Sequence, residues 1–247
     1  MALGDQTRDR AERWRGALVR HFITDGYIYD WALALALIIM NFTVPGPIVR
    51  PLERHYTAGD PALSYPSVYV PLSENQKFGL EFAIPGVVGA LMQLARRGAG
   101  PGGRLLDWHH LMLSTLEAFA VECSFKKWMN LVGRLRPDWF ARLSTHDPET
   151  IADGRTSYPS GHAAEMFAAM TTLTLYLCAK SRIFVAASPG HFAKAVLCLL
   201  PLGLATFITM SRVAGYKHDF SDVNAGMALG LASGAFAYHL NYPRRVL

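Results

Sequence analysis

WALALALIIM, Trp31 to Met40, sets the fold class. It is an apolar run without a charge, and with its flanks from Tyr27 to Val49 it matches the roughly 20 residues that cross a hydrocarbon core about 30 Å thick. Five further stretches of this kind follow: Phe78 to Leu94, Leu111 to Leu131, Gly161 to Ala179, Phe192 to Met210 and Val223 to Leu240. The apolar residues gather in these runs and the charges between them. The sequence therefore predicts an all-α polytopic membrane protein, a bundle of six transmembrane helices forming one domain over residues 1–247.

Orientation follows from the basic residues. Arg8, Arg10, Arg13, Arg15 and Arg20 precede the first run, and residues 1–26 are too polar for a secretory signal peptide. This segment is expected in the cytoplasm, with the C-terminus and its Arg244 and Arg245 on the same side. The loops carrying Arg96, Arg97 and Arg104, and Lys180, Arg182 and Lys194, then also face inward. Three polar loops converge on the extracytoplasmic face, which is where the chemistry is expected. No zinc, helix-turn-helix or RNA-binding signature accompanies the net charge of +5, so nucleic acid is not an expected partner.

Several residues carry little functional signal. Cys123, Cys178 and Cys198 lie inside the apolar runs without metal-ligand spacing and are expected as small core residues. Asn41 to Thr43 matches a glycosylation sequon, but inside the first run it reads as chance. Glu81, Glu117 and Glu122 lie within the second and third runs and are expected to be buried and paired. The small residues from Asn224 to Ala237 permit close helix packing, with packing inside the chain as the default and an oligomer left open.

Three stretches on the polar face work as a set: GRLRPDW from Gly133, SYPSGH from Ser157, and SRVAGYKHDFSD from Ser211. A phosphate dianion needs several fixed donors. Guanidinium forks at Arg136 and Arg212 suit its oxygens, and backbone N–H groups at Ser160 and Gly161, opening a helix, make an anion cradle. Phosphoester hydrolysis also needs a nucleophile and an acid for the leaving alkoxide. His218 has Asp222 four residues on to hold one ring nitrogen, which makes it the nucleophile. His162, beside the cradle, is the general acid. Arg134 is read as a supporting residue.

These motifs resemble those of the type 2 phosphatidic acid phosphatase superfamily, in its integral-membrane lipid phosphate phosphatase branch. That pattern is Lys, six residues and Arg-Pro; then Pro-Ser-Gly-His; then Ser-Arg, five residues, His, three residues and Asp. Here the second part is Pro159 to His162, and the third is Ser211, Arg212, His218 and Asp222. The resemblance implies six transmembrane helices and metal-independent hydrolysis of a lipid phosphate such as phosphatidate or diacylglycerol pyrophosphate, with no cofactor. It implies His218 as nucleophile oriented by Asp222, His162 as acid and base, and Arg136, Ser160, Gly161 and Arg212 as phosphate ligands.

One position departs from the pattern. Where it has Lys, seven residues before Arg136, this chain has Met129. Lys126 and Lys127 are near but out of register. On a regular helix Lys126 tilts toward the helix N-terminus, away from the site, and Lys127 needs a bulge to reach it. The departure motivates one alternative to hydrolysis, a phospholipid-binding relative without turnover; the others are a phosphoryl transferase, in which an alcohol replaces water as acceptor, and a channel or transporter built on the carboxylates and a basic vestibule.

Overall fold

The computed structural model describes residues 16, 19–70, 72, 74–95, 101–185 and 189–242. The expectations placed on Arg8, Arg10, Arg13, Arg15, Arg96, Arg97, Arg244 and Arg245 lie outside the described residues. Within them the chain is all-helical. The helices are α1 (Tyr27–Thr43), α2 (Glu74–Ala95), α3 (Pro101–Asn130), α4 (Trp139–Leu143), α5 (Pro148–Asp153), α6 (Gly161–Lys180), α7 (His191–Ala214) and α8 (Phe220–Asn241). Each of the six apolar runs is a helix. By length and composition, Gln76–Ala95 of α2 and all of α7 suffice to cross a membrane, and α1 is a shorter apolar helix.

The centre of the bundle is α6. Every residue from His162 to Thr174 is buried, so this helix has no polar face to give to solvent. It packs most extensively against α8, then α7, α3 and α2. The α6/α8 contact is close because α8 turns Gly226, Gly230 and Gly234 toward it. A Cβ on these would lie 2.6 Å from Ser160 O, 2.3 Å from Ala164 O and 2.5 Å from Ala168 O respectively. The small-residue stripe is thus used for packing inside the chain. Leu111, Met166, Met170, Leu173, Ala205 and Ile208 form the main apolar core beside it.

The outer helices show the opposite pattern. Leu33, Leu35, Ile39 and Phe42 on α1, and Phe192, Leu197, Leu200 and Phe207 on α7, are exposed. An apolar face of this extent is not left in contact with water by a domain that folds in it.

Buried polar residues join the helices. Asn41 donates to Ser124 Oγ at 2.9 Å and accepts from Trp128 Nε1 at 3.1 Å, tying α1 to α3, so the sequon asparagine is a packing residue. The half-buried Glu117 accepts from Asn241 Nδ2 at 2.5 Å, and the buried Glu122 has Lys126 Nζ at 3.9 Å as an ion pair only. The expectation of buried, paired glutamates is thus met in part: Glu117 is paired but not fully buried, and Glu81 is buried with no hydrogen-bond partner for either oxygen among the described residues. The three cysteines are buried and free.

The loop between α1 and α2 runs over one end of the bundle and closes it. Leu52 N–H donates to Leu131 O at 2.9 Å and Tyr65 N–H to Pro137 O at 3.2 Å. Tyr65 stacks on Tyr216, with ring centroids 4.6 Å apart. This loop, the α3–α6 connection with its short helices α4 and α5, and the α7–α8 turn meet at that end.

Candidate active site

The site is assembled at the start of α8. This helix opens with a capping box in which the Asp222 carboxylate accepts the Asp219 N–H at 3.0 Å. His218 therefore precedes the helix, and the His218–Asp222 spacing spans its cap. The imidazole Nδ1 lies 3.7 Å from Asp222 Oδ2, but only 2.9 Å from Ser157 O. A carbonyl can only accept, so Nδ1 carries the proton and Nε2 keeps its lone pair. The nearer partner of the ring is thus Ser157, a residue the sequence does not single out within its SYPSGH stretch.

Asp222 acts on the ring at one remove. Its Oδ2 accepts Ser157 Oγ–H at 2.6 Å, and its Oδ1 pairs with Arg134 Nη1 at 2.8 Å. Arg134 also reaches Asp219 at 2.9 Å. The Asp222 carboxylate is fully buried: Oδ2 accepts the hydrogen bonds of Ser157 and Asp219, while Oδ1 has the Arg134 guanidinium beside it as an ion pair.

The Pro-Ser-Gly turn is fixed from two sides. Asn130, the last residue of α3, donates to Tyr158 O at 2.9 Å, and Ser160 N–H donates to Asp222 O at 3.0 Å. The second bond corrects one expectation. The Ser160 backbone N–H is not available to an anion, because the first turn of α8 packs against this turn and takes it. What Ser160 offers instead is its hydroxyl, fully buried and with no hydrogen bond among the described residues. Gly161 opens α6 and His162 follows it, buried, on the first turn.

Arg136 and Arg212 come from opposite sides. Arg136 Nη2 and Nε bind Asp153 Oδ1 and O at 2.8 and 3.1 Å, and Arg142 Nη1 takes Asp153 Oδ2 at 2.8 Å. Burial alone raises the Asp153 carboxyl, but Arg136 and then Arg142 outweigh it and hold the group below its ordinary value. Arg212, near the end of α7, is buried and donates to Leu72 O at 3.1 Å. The His218 imidazole is pushed down to about 4, first by burial and then by the Arg136 charge, so it is neutral at pH 7.

These residues surround two adjoining cavities. One, of about 520 Å³, is lined by Arg136, Gly161, His162 and His218 and also by Ile38, Phe42, Phe78 and Phe119. The second, of about 400 Å³, holds Arg212 and Lys217 beneath Tyr69 and Val70 of the loop. Arg136, Asp153 and His162 line both. The sequence-predicted residues are thus brought together, with Ser160 and Asp222 bracing the wall behind them.

The Met129 question has a structural answer of its own. Met129 is exposed and does not line the cavity, whereas Lys126 is buried and does. The expected tilt of Lys126 away from the site is overturned because the α6 turn lies alongside the end of α3, not beyond it. A Cβ on Gly161 would lie 3.4 Å from Lys126 Nζ. Lys127 also lines this cavity, but its ammonium lies over the Phe42 ring, 4.2 Å from the ring centre.

Metal-ligand types also cluster at two places: His21, His109 and His110, and Glu122, Cys123 and Glu165. Neither cluster contains His162 or His218. His109 Nε2 accepts from Trp31 at 2.8 Å, which puts its proton on Nδ1, facing His21 Nε2 at 3.3 Å. That ring is committed to hydrogen bonds at both nitrogens.

Comparison with known proteins settles the family. The model of the PAP2 superfamily matches residues 108–245, which include all three motifs. The chain belongs to this superfamily. A PA-phosphatase related-family protein of Dictyostelium discoideum is 30% identical, over 90% of this chain and 82% of its own. Lipid phosphate phosphatase 2 of Arabidopsis thaliana is 28% identical, covering 94% and 81% respectively. Diacylglycerol pyrophosphate phosphatase 1 of Saccharomyces cerevisiae is 26% identical, covering 87% and 79%. No solved structure matches the chain.

Proposed function

We propose that this PAP2 superfamily member is an integral-membrane lipid phosphate phosphatase. It hydrolyses a phosphomonoester such as phosphatidate, or diacylglycerol pyrophosphate, without a metal ion or other cofactor. The observation that carries this reading is the shared cavity: two histidines and an arginine line it together with Ile38, Phe42, Phe78 and Phe119. A polar reaction centre beside apolar side chains suits a substrate with a phosphate at one end and acyl chains at the other. The names of the relatives point the same way.

In this reading α1, α2, α3, α6, α7 and α8 are the six spans, both termini are cytoplasmic, and the cavity opens at the extracytoplasmic face. The exposed apolar faces of α1 and α7 support contact with lipid.

The chemistry follows from the tautomer. His218 Nε2 attacks phosphorus while the bond from phosphorus to the lipid oxygen breaks, and His162 gives that oxygen its proton. The resulting phosphohistidine is opened by water, whose proton returns to His162. Arg136, Arg212 and the Gly161 N–H bear the charge on the phosphoryl oxygens. Asp222 and Ser157 keep the His218 proton on Nδ1, because the wrong tautomer has no lone pair to offer. Phospholipid binding without turnover is the alternative that Met129 motivates. The intact His218–Ser157–Asp222 arrangement favours turnover, since binding alone needs no oriented lone pair.

The test is release of phosphate by the purified full chain in detergent with excess EDTA. Phosphatidate, lysophosphatidate, diacylglycerol pyrophosphate and a sphingoid-base phosphate serve as the panel. Release that is lost in His218→Ala is the expected result. A requirement for added divalent metal, or release that persists in His218→Ala, overturns the mechanism.

A further inference from the structure

Beneath the Pro-Ser-Gly turn lies a charge arrangement that the hydrolytic machinery above does not use. Glu165, on α6 one turn beyond Gly161, is buried, and its two carboxylate oxygens are taken by two different lysines. Oε1 holds Lys126 Nζ from α3 and Oε2 holds Lys77 Nζ from α2, and both ammonium groups are buried as well. Glu122 Oε1 is the next carboxylate oxygen, at 3.9 Å from Lys126.

Two features make this more than a packing cluster. Ion pairs replaced by apolar residues of similar volume often leave a fold no less stable, so stability alone does not account for three buried charges in one layer. The trio is also placed at the reaction centre. Lys77, Lys126 and Glu165 all line the cavity that holds His162 and His218. Lys126 Nζ and Glu165 Oε1 each come 3.4 Å from where a Cβ on Gly161 would stand, at the first turn of α6, whose helix dipole favours an anion. Glu122 and Glu81 are buried around the same lysines, so what the arrangement supplies is a lysine ammonium fixed at that turn.

We infer that Lys126 is the cation that meets the substrate phosphate in place of the absent charge at Met129, and that Glu165 is a positioning residue that holds Lys126 and Lys77 to the cavity. This rests on the phosphatase reading. A lysine at position 126 lies one helical turn before position 129, about 4.5 Å along the axis. Its long side chain is drawn to the α6 turn by Glu165, which stands on α6 itself. Anchor and anion cradle thus belong to one rigid helix, so the ammonium keeps its place relative to the phosphate.

The experiment measures kcat, KM and inhibition by orthovanadate on the purified full chain in mixed micelles of detergent and phosphatidate. Variants are Lys126→Met, Lys126→Gln, Lys126→Arg, Lys127→Met and Glu165→Gln. Loss of one donor to a developing oxyanion costs roughly a hundredfold or more. Lys126→Met is expected to lower kcat/KM by about that factor and to weaken vanadate inhibition at least tenfold. Lys126→Arg restores most of both, and Lys127→Met stays within threefold of wild type. Glu165→Gln lowers kcat with a smaller change in KM, since the cation is still present but no longer held.

Lys126→Gln, which keeps the volume and a donor, replaces Lys126→Met should the latter not give a monodisperse sample. Wild-type turnover with Lys126 variants within threefold overturns the proposal, and so does an equal loss in Lys127→Met. Absence of wild-type turnover on the lipid panel overturns the phosphatase reading instead. Vanadate affinity then decides the role of Lys126: weakened binding in Lys126→Gln upholds it, and unchanged binding overturns it.

Discussion

Replacing Gly226 by alanine puts a single methyl group between the two halves of the site. The new Cβ would lie 2.6 Å from Ser160 O and 2.8 Å from Ala163 Cβ, against the 3.4 Å at which such contacts become ordinary. The shortfall is about 0.8 Å at the oxygen. One of the two nearest obstacles is backbone and the other a Cβ next to it, so neither can swing aside. The helices must separate by a comparable distance, and the Ser160 N–H to Asp222 O bond, now 3.0 Å, lies at the same junction. A displacement near 1 Å between catalytic groups costs roughly a hundredfold in rate. Glycine to alanine inside a helix otherwise gains about 1 kcal/mol, and overpacking costs about 1–3 kcal/mol, so a net loss of stability measures the clash. Gly234→Ala is the matched control: its Cβ meets Ala168 O at 2.5 Å, two turns deeper in α6. Both variants should lower the thermal midpoint in detergent by similar amounts. Only Gly226→Ala should lower kcat/KM for phosphatidate about a hundredfold, with Gly234→Ala within tenfold. Equal losses of activity, or a Gly226→Ala enzyme within threefold of wild type, would refute the claim that this contact sets the geometry of the site.

The pH profile tests the electrostatics. Burial and Arg136 push His218 down to about 4, so the neutral nucleophile persists as the pH falls and the acid limb of kcat/KM lies below the ordinary histidine value of 6.5. Arg136→Met removes a cation that disfavours the protonated ring, so the limb should move up, whatever the loss in absolute rate; an unmoved limb would mean that another group titrates there. The same depression makes an unfolded chain bind more protons than the folded one between about 4 and 6.5, so the His218 contribution to stability is lost as the pH drops through that window. Ser157→Ala removes the donor to Asp222 Oδ2 but keeps the carbonyl that accepts from the ring. It should lower kcat roughly tenfold with little change in KM, about the net worth of one hydrogen bond to a charged group; a change confined to KM would speak against an orienting role. Met129→Lys places a charge on an exposed position outside the cavity, so activity should stay within about twofold of wild type. A large gain would mean that position 129 faces the phosphate after all.

The helices were readable because apolar runs of the necessary length have few other uses: each run holds a helix, although the first ends early, at Thr43, and the third starts early, at Pro101. The candidate site residues were readable for a different reason. Histidine, arginine and a Pro-Ser-Gly turn are individually ambiguous, but three ordered motifs restrict the chemistry far more than one. What stayed hidden are the contacts between motifs. Ser157 and His218 are separated by 61 residues, and no local pattern says that a main-chain carbonyl, rather than Asp222, is the nearest partner of Nδ1. Asp153, which draws Arg136 and Arg142 together, likewise has no signal of its own in the loop around it. The Ser160 N–H was misjudged because helix-start geometry predicts a free donor, and only the packing of α8 against the turn consumes it.

Lys126 shows most sharply where spacing along a chain stops being informative. Counting back from Arg136 treats the motif as one continuous helix pointing at the phosphate, and on that count Met129 is a lost charge. In the structure α3 ends at Asn130, and Asn130 itself binds the turn at Tyr158 O. The anion cradle therefore lies beside the last turns of α3, and the relevant quantity is which α3 residue faces α6. Residue 126 meets that condition and residue 129 does not. A glutamate at 165 is the compensating residue such a placement calls for, because a lysine buried there without a carboxylate would be costly. Lys126 and Glu165, 39 residues apart, thus make sense only as a pair, and each alone looks like an unexplained charge in an apolar helix.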